Sequence, residues 1–582
     1  MITRLLPLLL ASLILVSCGP SAPPATFTDL ARDYVYTYLS LNPSTATQAG
    51  YHTHPGIPLD GKMETFSSTE LNQLKGFLDQ FQKRIDGVKV VQLSAEERAD
   101  YDILTAHLQL SRLELETLQS HRHNPTLYVE LLGNAIFSLY MLDFAPIEQR
   151  YDAIISRLNI VPALLESAQR NLVDAPEIWV KVALQENDGN HEMLIKTLKE
   201  TCPPSRRVYY DRSSGIALTE MQRFNSFLES RLSKNQSGWR LGKEKFAAKF
   251  RLTLGLDQTP EQVLADAEQQ LDAVRKEMFK IAAPLHQRFF PGASRSDLNT
   301  VVGQTLRKIS ETHGTRESYM ADAGRDLEEA RQFVRKKNIV ELPASDNLKV
   351  IETPVFMRGI YSVGGFNPAP PLEPALGAYY WLTPIPVSWP AARIDSKLRE
   401  YNFYGLKLLT IHEAVPGHYV QFEYANGIAS KTRRLLRALL GNGPYIEGWA
   451  VYATETMLDE GLLDHSPELR LTFMKQQLRM ISNAILDIRM HTMNMTDEQA
   501  MELMIQQTFQ EKEEAEGKLT RAKLSSTQLC TYFTGWREWR RLREKVQKSQ
   551  GSSFNLAAFH EKALRAGAVP MPALTHLMMA RN

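Results

Sequence analysis

From Phe27 to about Asn347 apolar residues recur at spacings of three and four, as in Tyr151-Ala153-Ile154-Ile155-Leu158-Ile160 and Val263-Ala267-Leu271-Val274, which sets one stripe on a helix face. The pattern predicts helices throughout. Asp257-Gln258-Thr259-Pro260-Glu261 predicts one helix start, with Thr259 as cap and Pro260 in the first turn, where its missing N–H costs nothing. Between Leu348 and Pro390 the period changes. Lys349-Val350-Ile351-Glu352-Thr353 and Ala378-Tyr379-Tyr380-Trp381-Leu382-Thr383 are β-branched or aromatic runs, separated by Gly364-Gly365 and several prolines, and they predict a small sheet. From Leu398 the helical period returns, most regularly in Leu471-Met474-Leu478-Ile481-Ile485-Ile488, a stripe that reads as core. The expectation is a mainly α protein with one small β-sheet. Residues 27–347 form a helical N-terminal region, and 348–582 hold the sheet and a second helical region that carries the candidate chemistry.

The first residues follow another pattern. MITRLLPLLLASLILVSC holds one basic residue, Arg4, and then an apolar run too short for a confident membrane span, which is how an export signal reads. Its end, Leu15-Val16-Ser17-Cys18, resembles a bacterial lipobox, in which the chain is cut before the cysteine and lipid is attached to the thiol. A cleaved signal with an incidental cysteine is the other reading. Residues 1–17 are then the signal peptide, and 18–26 are the lipidated Cys18 and a short Pro-rich tether. Gly19 after the cysteine resembles proteins sorted to the outer membrane. The expected location is the bacterial cell envelope, facing the periplasm, with the membrane contacted through the lipid alone.

Composition removes some classes. A chain of 582 residues with 43% hydrophobic content can bury a core or two, so disorder is excluded as the main state. Lys+Arg 67 against Asp+Glu 66 leave a formal charge of +1, with no electrostatic footprint for nucleic acid. Cys202 and Cys530 could pair only with their Cα atoms within about 7 Å, and they are expected to be separate thiols.

The segment with the most chemistry is Leu408-Leu409-Thr410-Ile411-His412-Glu413-Ala414-Val415-Pro416-Gly417-His418. In the usual zinc helix two histidines stand at i and i+4, and the intervening Glu acts as base toward a water activated by the metal. Here the spacing is i and i+6. Six residues turn a regular helix by about 600°, roughly 240° out of phase, so one ion can be shared only if the helix is interrupted. Pro416 and Gly417 supply an interruption at that place. The bland alternative is a helix that ends at Val415 with two incidental histidines. Downstream, Gly441-Asn442-Gly443-Pro444 reads as a turn, and Tyr445-Ile446-Glu447-Gly448-Trp449-Ala450-Val451-Tyr452-Ala453 as a buried helix. Glu447 in that helix needs a counterpart, either a metal ion held with His412 and His418 or a buried Arg or Lys. Three protein ligands would leave a fourth zinc position for water.

HEAVPGH followed by EGWAVYA resembles the bacterial family known as domain of unknown function 885, related to gluzincin metallopeptidases, and the similarity spans nearly the whole mature chain. The resemblance implies a large helical zinc-peptidase-like fold with the sheet beside an active-site cleft, and one zinc ion on His412, His418 and Glu447 with Glu413 as general base. Two departures affect only the surroundings. Members often read PGHH where this chain has Tyr419, and EGWALYAE where it has Thr454 and places Glu455 one residue later. Similar stretches around Tyr361-Ser362-Val363-Gly364-Gly365-Phe366 and Tyr379 imply substrate contacts from Tyr361, Gly364, Gly365 and Tyr379. A peptide could add itself to the sheet edge along Tyr379. Thr531-Tyr532-Phe533-Thr534-Gly535 implies Tyr532 as the phenol that steadies an oxyanion, and Asp487-Ile488-Arg489-Met490-His491 implies a catalytic His491. Each has a packing alternative. Asn483, Asp487 and His491 form a polar stripe that is either a solvated face or a pair directed into the cleft.

The function expected is a zinc-dependent hydrolase of the envelope, a metallopeptidase acting on peptide substrates. Two rivals stay open: a non-catalytic lipoprotein that binds peptides or partners, and a hydrolase of other amides or esters. Intact Glu413 favours catalysis, because a binding site needs no base. No signal for oligomeric state is present.

Overall fold

The computed structural model describes residues 26–231, 237–293, 297–344, 347–358, 361 and 363–580. Cys18 and the signal segment lie outside the described residues. The chain is mainly helical with the predicted small sheet, and a further two-residue antiparallel pairing joins Thr53–His54 to Ile57–Pro58. The elements that matter for the site are α1 (Thr126–Met141), α2 (Glu177–Glu192), α3 (Pro260–Phe289), strands β1 (Leu348–Glu352), β2 (Gly364–Asn367) and β3 (Ala378–Leu382), then α4 (Phe403–Glu413), α5 (His418–Asn426), α6 (Gly443–Asp459), α7 (Pro467–Thr492), α8 (Lys512–Leu524) and α9 (Cys530–Gln550).

Local chemistry sets the ends of these elements. Thr259 caps α3 as expected: its hydroxyl accepts the Gln262 amide, and the Gln262 side chain returns to the Thr259 amide. The apolar stripe of α7 is buried against α3 and α9. In the sheet, β3 lies in the middle, parallel to β1 and antiparallel to β2, and all five of its residues are buried. This corrects the expected docking edge, because both edges of β3 are already paired. An added strand would have to pair with β1 or β2.

Buried apolar residues form two principal cores. The larger joins the first helices, through Leu30, Tyr34 and Leu104, to those carrying the motifs, through Ile411, Trp449 and Trp539. The second is built mostly within 128–228, with Met63, and is closed by Phe356 from the segment after β1. A cleft lies where they face each other, with Glu130 of α1 and Lys181 of α2 on one wall and α4, α6 and α8 on the other.

Glu186 of α2 is 3% exposed, and neither of its carboxylate oxygens has a hydrogen-bond partner among the described residues. Burial, reinforced by the charge of neighbouring Glu130, raises its pKa well above the carboxylate range. Below the unfolded value of 4.5 both states hold the proton. Above it only the folded state does, so folding loses stability as pH rises toward the raised pKa. Glu186→Gln keeps the shape without the proton demand. At pH 8 it should gain about 1 kcal/mol or more in denaturant melts, since a tenfold difference in proton affinity between the two states is worth about 1.4 kcal/mol. At pH 5 the gain should be close to nil. Equal stability of the two proteins at both pH values would contradict this account.

Candidate metal centre

Asn402 starts α4, its Oδ1 accepting the amides of Tyr404 and Gly405, and the helix delivers His412 and Glu413 in its last turn. There the ladder stops. Ala414 leaves helical geometry at φ −117°, ψ −90°, Pro416 offers no amide, and the Gly417 amide turns back to the Ile411 carbonyl at 3.1 Å. His418 opens α5 immediately afterwards. The interruption inferred from the i,i+6 spacing is therefore a four-residue bend. It brings the two imidazoles together, with centroids 4.9 Å apart and planes at 82°.

Glu447 arrives from α6, whose start is fixed by Asn442 Oδ1 accepting the Tyr445 amide. Its Oε2 stands 3.7 Å from His412 Nε2 and 3.5 Å from His418 Nε2, and the three ligand atoms lie within 4.8 Å of one another. Donors each about 2.1 Å from one tetrahedral ion would be roughly 3.4 Å apart, so the spacing fits. The 3.5 Å and 3.7 Å separations are too long for hydrogen bonds, and Glu447 Oε2 is buried without a hydrogen-bond partner among the described residues. A carboxylate oxygen held in that way between two ring nitrogens is costly unless a cation lies between them. The residues fit one divalent metal ion, with room for a fourth ligand.

The electrostatics agree. Burial alone would raise the Glu447 carboxyl, but His412 and His418 outweigh it and hold it far below the usual range. Burial would lower His418, and the Glu447 carboxylate, with Glu413 and Gln421, outweighs that and raises it. Protons and a metal therefore compete for the same nitrogens.

The second motif is explained residue by residue. Gly448, beside Glu447, meets Gly535 of α9 so closely that a Cβ on Gly448 would lie 2.3 Å from the Gly535 carbonyl carbon. That contact lets α6 and α9 cross near the site, which brings Tyr532 to the same cleft as Glu447. Trp449 is fully buried, and its indole N–H donates to the Pro416 carbonyl at 2.9 Å and the Gly417 carbonyl at 3.2 Å. The EGW triplet thus supplies a candidate ligand, a helix crossing and a clamp on the bend that presents His418.

The cleft holds about 1200 Å³ and is lined by His412, Glu413, His418, Glu447 and Tyr532 together with Tyr361, Gly364 and Gly365. Tyr532 accepts a hydrogen bond from Arg521 Nη2 at 3.1 Å. Burial, opposed by the Arg521 charge, pushes its pKa up to about 12, so the phenol keeps its proton at neutral pH.

Other sequence expectations need correction. Tyr379 does not reach the cleft: it is buried in the central strand, and its hydroxyl donates to the Met141 carbonyl at 3.5 Å. His491 is 3% exposed, packed between Trp239 and Phe246, and its Nε2 donates to the Ser525 and Ala522 carbonyls at 2.9 and 3.2 Å. Burial brings its pKa down to about 4, which leaves a neutral ring. Asp487 is buried as well, accepting the Thr527 amide at 3.0 Å. Neither lines the cleft. They hold the 522–527 segment that leads into α9 and Tyr532. Glu455 accepts the Trp536 indole N–H at 2.8 Å, away from the metal ligands. Cys202 and Cys530 are free, buried thiols. Two cleft residues that the sequence pattern does not single out are Lys518 and Arg521 of α8. Their only sequence signal is the i,i+3 spacing that puts both on one helix face.

Residues 43–578 match a family described as bacterial protein of unknown function (DUF885). No curated protein matches the chain. Among solved structures, a candidate lipoprotein of unknown function from Shewanella oneidensis is similar at 30% identity, over 96% of this chain and 100% of that one, with a TM-score of 0.79. A candidate lipoprotein from Colwellia psychrerythraea shares 18% identity over 95% and 98%, with a TM-score of 0.77, a likeness that shows the fold.

Proposed function

This chain belongs to the bacterial DUF885 family, and on that premise we propose that it is a zinc-dependent metallopeptidase of the cell envelope. The observation that carries the reading is the convergence of two imidazoles on the buried, unpartnered Oε2 of Glu447, with Glu413 lining the same cleft. Two nitrogens and one carboxylate oxygen with an open fourth position are the donor set of catalytic zinc sites in gluzincin-type peptidases.

His412, His418 and Glu447 would hold the ion, which when bound polarises a substrate carbonyl and makes a water acidic enough to attack. Glu413 takes the proton as the water oxygen bonds to the carbonyl carbon, then passes it to the amide nitrogen as the C–N bond breaks. The Tyr532 phenol, its oxygen already accepting from Arg521, has its own proton free for the developing oxyanion. Tyr361 and the Gly364–Gly365 backbone border the cleft where a substrate would lie.

No described helix is long and apolar enough to cross a membrane. The similar structures are candidate lipoproteins, which supports attachment through lipid on Cys18. The mass of the N-terminal peptide from mature protein tests that attachment directly.

The function is tested by metal analysis joined to a peptide-library digest. One zinc per chain is expected, with cleavage abolished by a chelator and restored by zinc. Stoichiometric zinc with no cleavage of peptides would overturn the peptidase reading and favour binding alone or another amide or ester.

A further inference from the structure

Several buried cations of this protein have carboxylate partners, while Arg157 is answered by the Ala135 and Pro43 carbonyls and the Thr47 hydroxyl. Lys397 stands 3.5 Å from Glu514, Arg479 is bonded to the same carboxylate, and Lys407 is bonded to Asp326. Lys518 is different. It is 6% exposed, lines the cleft, and its ammonium makes no hydrogen bond or ion pair with any described residue. Glu514 lies on the same helix, but Arg479 and Lys397 occupy it. One turn further along α8, Arg521 Nη2 donates to Gln528 Oε1 at 3.0 Å and to the Tyr532 hydroxyl at 3.1 Å, both neutral. Its guanidinium has no carboxylate partner among the described residues. Lys518 and Arg521 therefore line the cleft from one helix, beside the phenol assigned to the oxyanion, with no carboxylate in direct contact among the described residues.

Resting on the peptidase reading, we propose that Lys518 and Arg521 form an anion subsite that takes a carboxylate of the substrate and sets which bond reaches the metal ligands. An ammonium that lines the cleft without a carboxylate in contact can take one from an incoming substrate. Both line the same cleft as His412, Glu413, His418 and Glu447, so they can act on a substrate held there. Burial and the charges of Arg479 and Arg521 depress the Lys518 pKa, and a bound carboxylate acts in the opposite sense. The carboxylate is either the C-terminal one, which would make the enzyme a carboxypeptidase or dipeptidyl carboxypeptidase, or an acidic side chain beyond the scissile bond.

The experiment compares Lys518→Met with the parent on matched peptides: free acid, C-terminal amide, and free acid or amide with Glu replaced by Gln. Removal of an unpaired buried charge should leave Lys518→Met folded, and its melting curve checks that. In the parent the anionic peptide should have a KM about 10-fold or more below that of its neutral counterpart, the scale of a charge-assisted contact. In Lys518→Met that advantage should vanish with kcat changed less than about 3-fold. A preference that follows the terminal carboxylate identifies the first source, and one that follows Glu identifies the second. Equal KM ratios in the two proteins would overturn the subsite. Affinity for the same intact peptides, measured by calorimetry on Glu413→Gln protein, reads the subsite even if no peptide is cleaved. Charge-selective binding lost in the Glu413→Gln/Lys518→Met double variant, with no cleavage by the parent, would sink the peptidase reading and leave the subsite standing.

Discussion

Glu413→Gln should keep its full equivalent of metal while turnover falls by roughly 100-fold or more, the usual contribution of a positioned general base. The substitution is nearly isosteric and removes only the carboxylate that accepts a proton. Glu413 belongs to the cleft but not to the set of three ligand atoms within 4.8 Å of one another. Metal affinity should therefore be unaffected, and KM should change far less than kcat, because the lost interaction is made in the transition state. Glu447→Gln is the contrasting case. Its Oε2 faces both imidazoles from within a buried setting, so the neutral amide should lower metal occupancy and activity together. Elemental analysis and rates on the same preparations check both variants. Loss of metal from Glu413→Gln alongside retained metal and activity in Glu447→Gln would exchange the two roles and require a different ligand set.

The parts of this site legible in the sequence are those set by local geometry. The i,i+6 spacing with Pro416 and Gly417 between the histidines demanded a broken helix, and the bend at 414–417 is that break. Glu447 in an apolar helix demanded a counterpart, and two imidazoles are there. What stayed hidden depends on partners far along the chain. His491 and Asp487 read as a polar stripe because nothing nearby shows that Trp239, Phe246 and the 522–527 segment close over them. Tyr379 read as an edge because strand order follows from β1 and β2 both pairing with β3, and a run of β-branched and aromatic residues does not encode its neighbours. The lack of a carboxylate in contact with Lys518 was equally invisible. Glu514 sits four residues before it, the spacing of a helical ion pair, and only the fold shows that Arg479 and Lys397 have taken that carboxylate.

Gly417→Ala is expected to abolish metal binding without touching a single ligand. A Cβ at this position would lie 1.9 Å from the His412 carbonyl oxygen and 2.5 Å from that of Ile411. Both obstacles are backbone, so no side-chain rotation relieves them, and the bend itself must move by an ångström or so. That bend is also held from the other side, since Trp449 donates to the Pro416 and Gly417 carbonyls and the Gly417 amide is bonded to Ile411. His418 is the very next residue, so any displacement is passed to a ligand, and constellations of this kind tolerate only about 0.5 Å. Ala414 and Val415 of the bend belong to the larger core, but that core draws on helices along the whole chain, so the protein should remain folded with its helical signal intact. Zinc affinity, measured by competition with a chelator, should fall by about 100-fold or more, and peptide cleavage should fall with it. Gly76→Ala is the control: an added Cβ there meets nothing within 4 Å, in the middle of a helix, and should leave metal binding unchanged. A Gly417→Ala protein that holds zinc as tightly as the parent would show that the close approach of this bend to the end of α4 is not what aligns His418 with His412.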